Sequence, residues 1–166
     1  LGGMILVAGV VFGILYLANQ NGKEVADDSE TVAVGNTELK SGSVTTTIDG
    51  KSVTYNAAYV VDGVEATISS GTYKSTNDDE NVFLVINGGS LVIDGDVTVD
   101  KSGSEDFQGR GDDYSFYGTN SAIVVVGDGS SATINGATIK TEVSGANAVV
   151  ATNGGVVGIS DSTIAT

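Results

Sequence analysis

The chain has no cysteine, proline, histidine or tryptophan among its 166 residues. Without cysteine it can form neither a disulfide nor a thiolate metal site. Cysteine content therefore does not indicate whether the protein works in an oxidising or a reducing compartment. Without histidine or cysteine, the common nucleophile and base arrangements of enzymes are missing. We therefore predict a protein that is not an enzyme and has no cofactor. Paired carboxylates could still hydrolyse glycosides, so a polysaccharide-active enzyme is the least favoured alternative.

Positive charge is also scarce. The sequence has seven lysines and arginines but 21 aspartates and glutamates, which gives a net charge of −14. Such a chain cannot neutralise the phosphates of DNA or RNA, so we predict no nucleic-acid partner. The charge is spread along the sequence and not concentrated in blocks, which is typical of a soluble, self-repelling surface.

The sequence does contain an internal repeat. A spacing of 25 residues separates three pairs of isoleucines that lie in similar short runs: Ile68 and Ile93, Ile134 and Ile159, and Ile139 and Ile164. The step from Ile93 to Ile134 is longer, at 41 residues, which is one period plus 16. A fixed period of this length is typical of stacked repeats.

Each repeat consists of short β-branched runs separated by Gly, Asn and Asp, the residues of strands and turns. No helical period appears after residue 30. These features predict a mainly β protein: a parallel β-helix of about four rungs, with three strands per repeat, preceded by an N-terminal apolar α-helix. The alternative is an antiparallel sandwich, in which a constant 25-residue register is not expected.

The predicted organisation has four parts. Residues 1–22 form the apolar helix, 23–43 a polar linker, 44–56 a hairpin cap, and 57–166 the parallel β-helix with an inserted loop at 102–119. The hairpin follows from Asp49-Gly50 between two β-type runs. A cap is expected because a bare first rung would offer unpaired strand edges to other chains.

The first 22 residues carry no charge. As a helix they would reach about 33 Å, enough to cross a bilayer. The segment could be the core helix of a filament, a single membrane anchor or a signal segment. Gly9 and Gly13 would permit close helix packing. We predict that assembly uses these residues, neighbouring apolar positions and the end of the coil: Ile5, Leu6, Gly9, Gly13, Leu17 and Ile164.

The inserted loop contains the candidate binding residues, because insertions in stacked repeats form surface loops. Arg110-Gly111-Asp112 is a tripeptide that some host receptors recognise. The same three residues are also typical of a surface turn that bends at glycine. The possible ligand residues are Arg110, Asp112, Tyr114, Phe116 and Tyr117. The aromatic side chains could stack on sugars or instead pack over the coil. Weak calcium candidates are Glu105, Asp106, Asp112 and Asp113, whose order does not match known calcium loops.

Parts of the sequence resemble the right-handed parallel β-helix repeats of adhesin-like microbial surface proteins. These parts are three segments and turns such as Ile134–Ile139; the segments are Asn81–Val85, Phe116–Ile123 and Gly145–Val149. The resemblance covers about two thirds of the chain and implies a surface-exposed, extracellular role without catalytic residues. The N-terminal segment is similar to that of type IV pilins in general plan, with Ile5 where many bacterial members have glutamate.

These observations predict a non-enzymatic structural subunit of an extracellular, pilus-like filament. Its partner would be itself, through the N-terminal helix and the β-helix ends, because the chain stops just after Ile164 and would leave an apolar column bare. The subunit would be inserted in the membrane before assembly. The alternative is a single membrane-anchored adhesin that binds glycan or host protein through the 102–119 loop.

Overall fold

The computed structural model describes residues 32–34, 37–104 and 111–166. Within these ranges the chain is mainly β, with one short π-helix between β7 and β8. The elements are β1 (Val32–Val34), β2 (Thr37–Leu39), β3 (Gly42–Ile48), β4 (Lys51–Asp62), β5 (Glu65–Ser75), β6 (Glu80–Ile86), β7 (Ser90–Lys101), the π-helix (Asp113–Tyr117), β8 (Ile123–Val126), β9 (Ser131–Asn135), β10 (Thr138–Thr141), β11 (Val149–Thr152), β12 (Val156–Ser160) and β13 (Thr163–Ala165).

The chain alternates between two sheets, whose strands are all parallel except β3. Sheet 1 has the order β11-β8-β6-β4-β3; sheet 2 has the order β12-β9-β7-β10-β13, with β5 also paired to β7. One strand of sheet 1 and the next segment of sheet 2 form what we call a layer. The first layer is β4 and β5, the second β6 and β7, the third β8 to β10, and the fourth, or last, layer β11 to β13.

The repeat spacing corresponds to strand pairing. Ile68 pairs with Ile93, Ile134 with Ile159, and Ile139 with Ile164. Ile93 also pairs with Ile134, so the 41-residue step changes no register. The parallel, 25-residue stacking is confirmed, and it excludes the antiparallel sandwich.

The main core lies between the sheets and is centred on three aromatic rings. The rings of Tyr59, Tyr73 and Phe83 have centroids 5.2 to 5.4 Å apart in mutual edge and tilted contacts. Such pairs each stabilise a fold by about 0.5–1.5 kcal/mol beyond the area they bury. Strands β6 and β8 are buried on both faces, as parallel strands usually are. A second apolar cluster, with Tyr55, Leu84 and Val124, lies on the other face of sheet 1.

The Asp49-Gly50 hairpin is confirmed. β3 and β4 pair antiparallel from Ile48 and Lys51 outward. Asp49 and Gly50 both have positive φ, 49° and 81°, which matches the twist that a two-residue hairpin turn requires. β4 then continues to Asp62, so the second arm of the hairpin is also the first parallel strand of sheet 1.

The predicted fold class is nevertheless wrong as stated. It joined a β-helix to an N-terminal apolar helix, whereas the structure is mainly β, with parallel sheets and a half-barrel and without such a helix in its described part. Residues 1–22, on which the helix was predicted, lie outside the described residues. The physical basis of that prediction was weak. Hydropathy identifies an apolar segment but does not by itself establish that the segment is helical.

The three strands per repeat occur only in the third and last layers. β5 and β7 each run unbroken through the position where a turn was predicted. At that point β7 contains Gly95, with φ 132°, and a Cβ there would lie 2.4 Å from the carbonyl oxygen of Ser69. Glycine therefore lets two neighbouring strands bend together, with a register shift between Ile68 and Ser70 in place of a turn.

Candidate functional site: the inserted segment and the last layer

The inserted segment returns to the sheets through the π-helix. Gly118 ends this helix in the left-handed conformation, with φ 69°, and its N–H bonds to the carbonyl of Tyr114 at 3.1 Å. The Tyr114 side chain is buried, and its hydroxyl donates to Asp79 Oδ1 at 2.5 Å. Asn147 Nδ2 donates to the Tyr114 carbonyl at 3.1 Å. The helix is thus bonded to the turn before β6 and to the segment before β11.

A groove of about 260 Å³ lies between the π-helix, the first half of β4 and the turn before β6. Its lining is mostly polar: Lys51, Ser52, Val53, Thr54, Asn56, Asp79, Asp113 and Thr119. Lys51 Nζ lies 2.5 Å from Asp113 Oδ1 and 4.8 Å from the centre of the Tyr117 ring. The hydrogen bond to Asp113 raises the pKa of Lys51. The groove can therefore offer ligand hydroxyls both donors and acceptors.

The structure separates the predicted ligand residues from one another. Arg110 lies outside the described residues. Tyr114 is buried, Tyr117 is half-buried against the second apolar cluster, and Asp112 is exposed. Phe116 is 67% exposed. Of the three aromatic side chains, only that of Phe116 is mostly exposed to solvent.

The calcium hypothesis receives no support from the described residues. Glu105 and Asp106 lie outside them, and Asp113 is occupied by Lys51. In the part of the chain that the structure describes, no cluster of three or more His, Cys, Asp or Glu side chains could hold a metal ion.

Sequence reasoning missed a buried cation, Lys101. This residue has no exposed surface, and its Nζ donates to the carbonyls of Asn77 and Ser102 at 2.6 and 2.9 Å. A signal was present in the sequence. Val97, Val99 and Lys101 occupy alternate positions of β7, so the strand period turns all three side chains inward.

Several buried polar groups mark the points where strands begin. Asn81 Nδ2 donates to the carbonyls of Gly118 and Ser121, at 2.6 and 3.0 Å. The side-chain oxygens of Asn81, Asn120 and Ser121 are buried without a hydrogen-bond partner. Each such group costs about 1–3 kcal/mol if it stays unpaired. Asn81 therefore holds the backbone at the returning end of the inserted segment.

The last layer leaves apolar side chains uncovered. β11, β12 and β13 each end the order of their sheet, so one edge of each strand faces solvent. Val156, Ile159 and Ile164 are 64%, 43% and 49% exposed. Ile164, a predicted assembly residue, is therefore on a surface available for contact. The other predicted assembly residues, Ile5, Leu6, Gly9, Gly13 and Leu17, lie outside the described residues.

Comparisons of the chain with models of protein families, with curated proteins and with solved structures found no significant match. The resemblance to adhesin-like surface proteins thus stays a prediction. In the described ranges we also find no helix with the length and apolar character needed to cross a bilayer.

Proposed function

We propose that the protein is a non-enzymatic structural subunit of an extracellular assembly in which two copies join through their last layers. The observation that carries this proposal is the set of exposed apolar side chains on strands with a free edge: Val156, Ile159 and Ile164. Free strand edges readily pair with another chain when no charge, proline or bulge protects them. The extracellular placement rests on the sequence pattern alone.

Charge favours a second copy as the partner. From residue 143 to residue 166 the only charged side chain is Asp161, although the whole chain has a net charge of −14. Two strongly acidic molecules repel one another at most orientations. They can approach most closely where this nearly neutral layer faces its own copy.

The geometry of the other end favours a two-fold pair. There β3 covers the edge of β4, and Leu39 is completely buried in the main core. In sheet 1, the β11 strand of a last layer therefore finds no matching free edge on the first layer of a neighbour, whereas β5 in sheet 2 is paired on one side only, to β7. The same face on both copies, as in an isologous dimer, satisfies both free edges at once.

Sedimentation velocity of the whole chain over a range of concentrations tests the pair. We expect a dimer that dissociates on dilution, and Ile159→Glu should raise the dissociation constant at least about tenfold, because it buries an unpaired charge at the interface. Val64→Glu is the matched control, since Val64 is 41% exposed on the turn between β4 and β5. A monomer at all concentrations, or equal weakening by both variants, would contradict the proposal.

The filament needs a further contact besides this pair. Electron microscopy of material sheared from producing cells, with mass spectrometry on the same fraction, tests it directly. Uniform fibres containing this chain support the filament. Recovery of the chain only from detergent-extracted membranes would favour an anchored protein.

A second candidate function is adhesion, which is favoured by the exposed ring of Phe116 on the π-helix that also contributes Asp113 to the polar groove. Aromatic faces with nearby hydrogen-bonding groups suit sugar ligands. Removal of 102–119 would be a poor test, because it deletes the buried Tyr114 and Thr119. Phe116→Ala is better. It should abolish attachment to a glycan array if this function is correct, and leave dimer formation unchanged.

A further inference from the structure

Strand β5 has one paired edge and one open edge. The paired edge bonds to β7 from Glu65 to Ser75. In the described part of the chain no strand pairs with the other edge; β1 comes near it but pairs only with β2. With 11 residues, this open edge is more than twice as long as that of any strand in the last layer. It presents a row of backbone N–H and C=O groups that a further strand can bond.

The two arms of β5 expose their side chains in opposite phase. In the first arm the odd-numbered Glu65 and Thr67 are exposed, and in the second arm the even-numbered Thr72 and Lys74 are exposed. The phase changes in the middle of the strand, where Gly71 has φ 113°. Because side chains alternate with a period of two, a second strand matches both arms only if odd positions lie opposite even positions.

A second copy of β5 satisfies this condition when the two strands run antiparallel. Pairing Glu65 with Lys74 of the other copy places Thr67 opposite Thr72, so exposed side chains lie beside exposed ones in both arms. The buried positions of the two arms also lie opposite one another. The arrangement has a two-fold axis at the middle of the strand, and every contact therefore occurs twice.

Charge favours this arrangement over a parallel one. In the antiparallel pair each Glu65 lies beside a Lys74, and opposite charges directly across two strands are stabilising. A parallel pair in register would place Glu65 beside Glu65 and Lys74 beside Lys74, which is destabilising. Lys74 Nζ also lies 3.4 Å from Asp100 Oδ2 in its own chain, but its side chain is 59% exposed and remains accessible to a second carboxylate.

We propose that the open edge of β5 is a second self-association surface, at which two copies of the chain pair antiparallel with Glu65 of each beside Lys74 of the other. A molecule with two different two-fold contacts, one at β5 and one at the last layer, keeps one surface open after each pairing. Copies can therefore join in a line, which supplies the further contact that a filament needs. This role in a filament rests on the proposed function, whereas the β5 pair itself does not.

Sedimentation velocity of the whole chain carrying Ile159→Glu isolates the β5 pair, because that substitution weakens the last-layer contact. We expect a dimer at high protein concentration in this background. Adding either Glu65→Lys or Lys74→Glu should raise the dissociation constant at least about tenfold, because each places two like-charge contacts across the strands. Adding both exchanges the charges and should restore the dimer. Thermal melts establish that every variant is folded.

A mixture of the two charge-reversed chains gives the sharper test. Each should stay monomeric alone where the parent dimerises, and the two should dimerise when mixed, because every contact between positions 65 and 74 then joins opposite charges. Lys140→Glu is the matched control. It makes the same change of charge at an exposed site beside the same Asp100, but on β10, which has strands on both sides. It should leave the dimer unchanged.

The two self-association surfaces can fail separately. A monomer at every concentration in the Ile159→Glu background overturns the β5 pair and leaves the last-layer pair standing. A dimer that Ile159→Glu does not weaken, but that the charge reversals dissociate, overturns the last-layer pair instead. If neither the mixture nor the doubly reversed chain dimerises, the antiparallel pairing of Glu65 with Lys74 is wrong.

Discussion

The first and last layers are stacked in the same 25-residue register but end differently. Next to the first layer, β3 pairs along β4, the N–H of Val60 bonds to the carbonyl of Lys40 at 3.0 Å, and Leu39 closes the main core. Next to the last layer the described chain offers no such cover, and Ile159 and Ile164 stay about half exposed. The difference shows that the stacked repeats alone do not bury the apolar side chains at their two ends. An additional segment must cover those side chains at each end.

The largest contrast should come from matched truncations at the two ends. Leu39→Ala removes a fully buried side chain, so we expect a loss of about 2–5 kcal/mol in the free energy of unfolding. Ile164→Ala, at a site 49% exposed, should cost less than about 1 kcal/mol in the monomer. Chemical denaturation at low protein concentration measures both. Equal losses would show that the last layer is as well covered as the first.

Two equivalent glycines sharpen the comparison. A Cβ at Gly89 would lie 2.4 Å from the carbonyl oxygen of Val61, and a Cβ at Gly155 would lie 2.4 Å from that of Val125. Gly89→Ala should cost about 1–3 kcal/mol, because strain between the first two layers has nowhere to relax.

Gly155→Ala creates the same close contact between the third and last layers. There we expect faster amide hydrogen exchange in β11 to β13 with little change in the global unfolding energy, because an outer layer can open by itself. The comparison fails if Gly155→Ala lowers global stability as much as Gly89→Ala.

The end of the fold that β3 covers should also make the free energy of unfolding depend on pH in the alkaline range. Tyr55 in β4 donates to the carbonyl of Tyr117 at 2.9 Å, and burial raises its pKa above the ordinary value of 10.0. The unfolded chain then ionises first, so this stability is fully present below about pH 10 and is lost as the pH rises further.

Tyr55→Phe should cost about 0.5–1.5 kcal/mol at neutral pH and reduce the fall in stability above pH 10. Urea denaturation at pH 7 and at pH 10.5 measures the difference between the two chains. Burial also raises the pKa of Tyr73. Part of the loss of stability above pH 10 should therefore remain in both chains. An unchanged pH dependence would mean that Tyr55 ionises freely in the folded chain.

The smallest effect should come from the exposed face of the hairpin. Thr45 and Thr54 are direct partners, and their hydroxyls are 2.8 Å apart. Thr45→Ala should cost about 0.2–1 kcal/mol, as other cross-strand pairs do. A thermal melt detects it as a small shift. A larger loss would indicate that the hairpin contributes more to the covered end than its exposure suggests.

The strand pairing could be predicted because it repeats. The isoleucine spacing fixed which residues stack, and the Asp49-Gly50 pair fixed the hairpin. The helix predicted at residues 1–22 rested on hydropathy, which by itself does not establish secondary structure.

The candidate sites were much less accessible to sequence reasoning. The amine of Lys101 bonds to the backbone carbonyls of Asn77 and Ser102, contacts that no repeat relates, and the local sequence gives only the inward position of Lys101. Tyr114 could be recognised as a candidate for packing, but its bond to Asp79 depends on where the inserted segment returns. Contacts made once in a fold leave no periodic signal.

The inserted segment leaves the sheets after Lys101 and rejoins them at β8, and the pairing of Ile93 with Ile134 is the same as if no residues had been added. Loop-closure entropy rises only slowly with loop length, so extra residues here cost little. Buried Tyr114 and left-handed Gly118 fix the returning end. A foreign peptide joined between Ser104 and Gly111 should therefore leave the stacked strands unchanged, so the two sheets could serve as a scaffold that displays a chosen epitope.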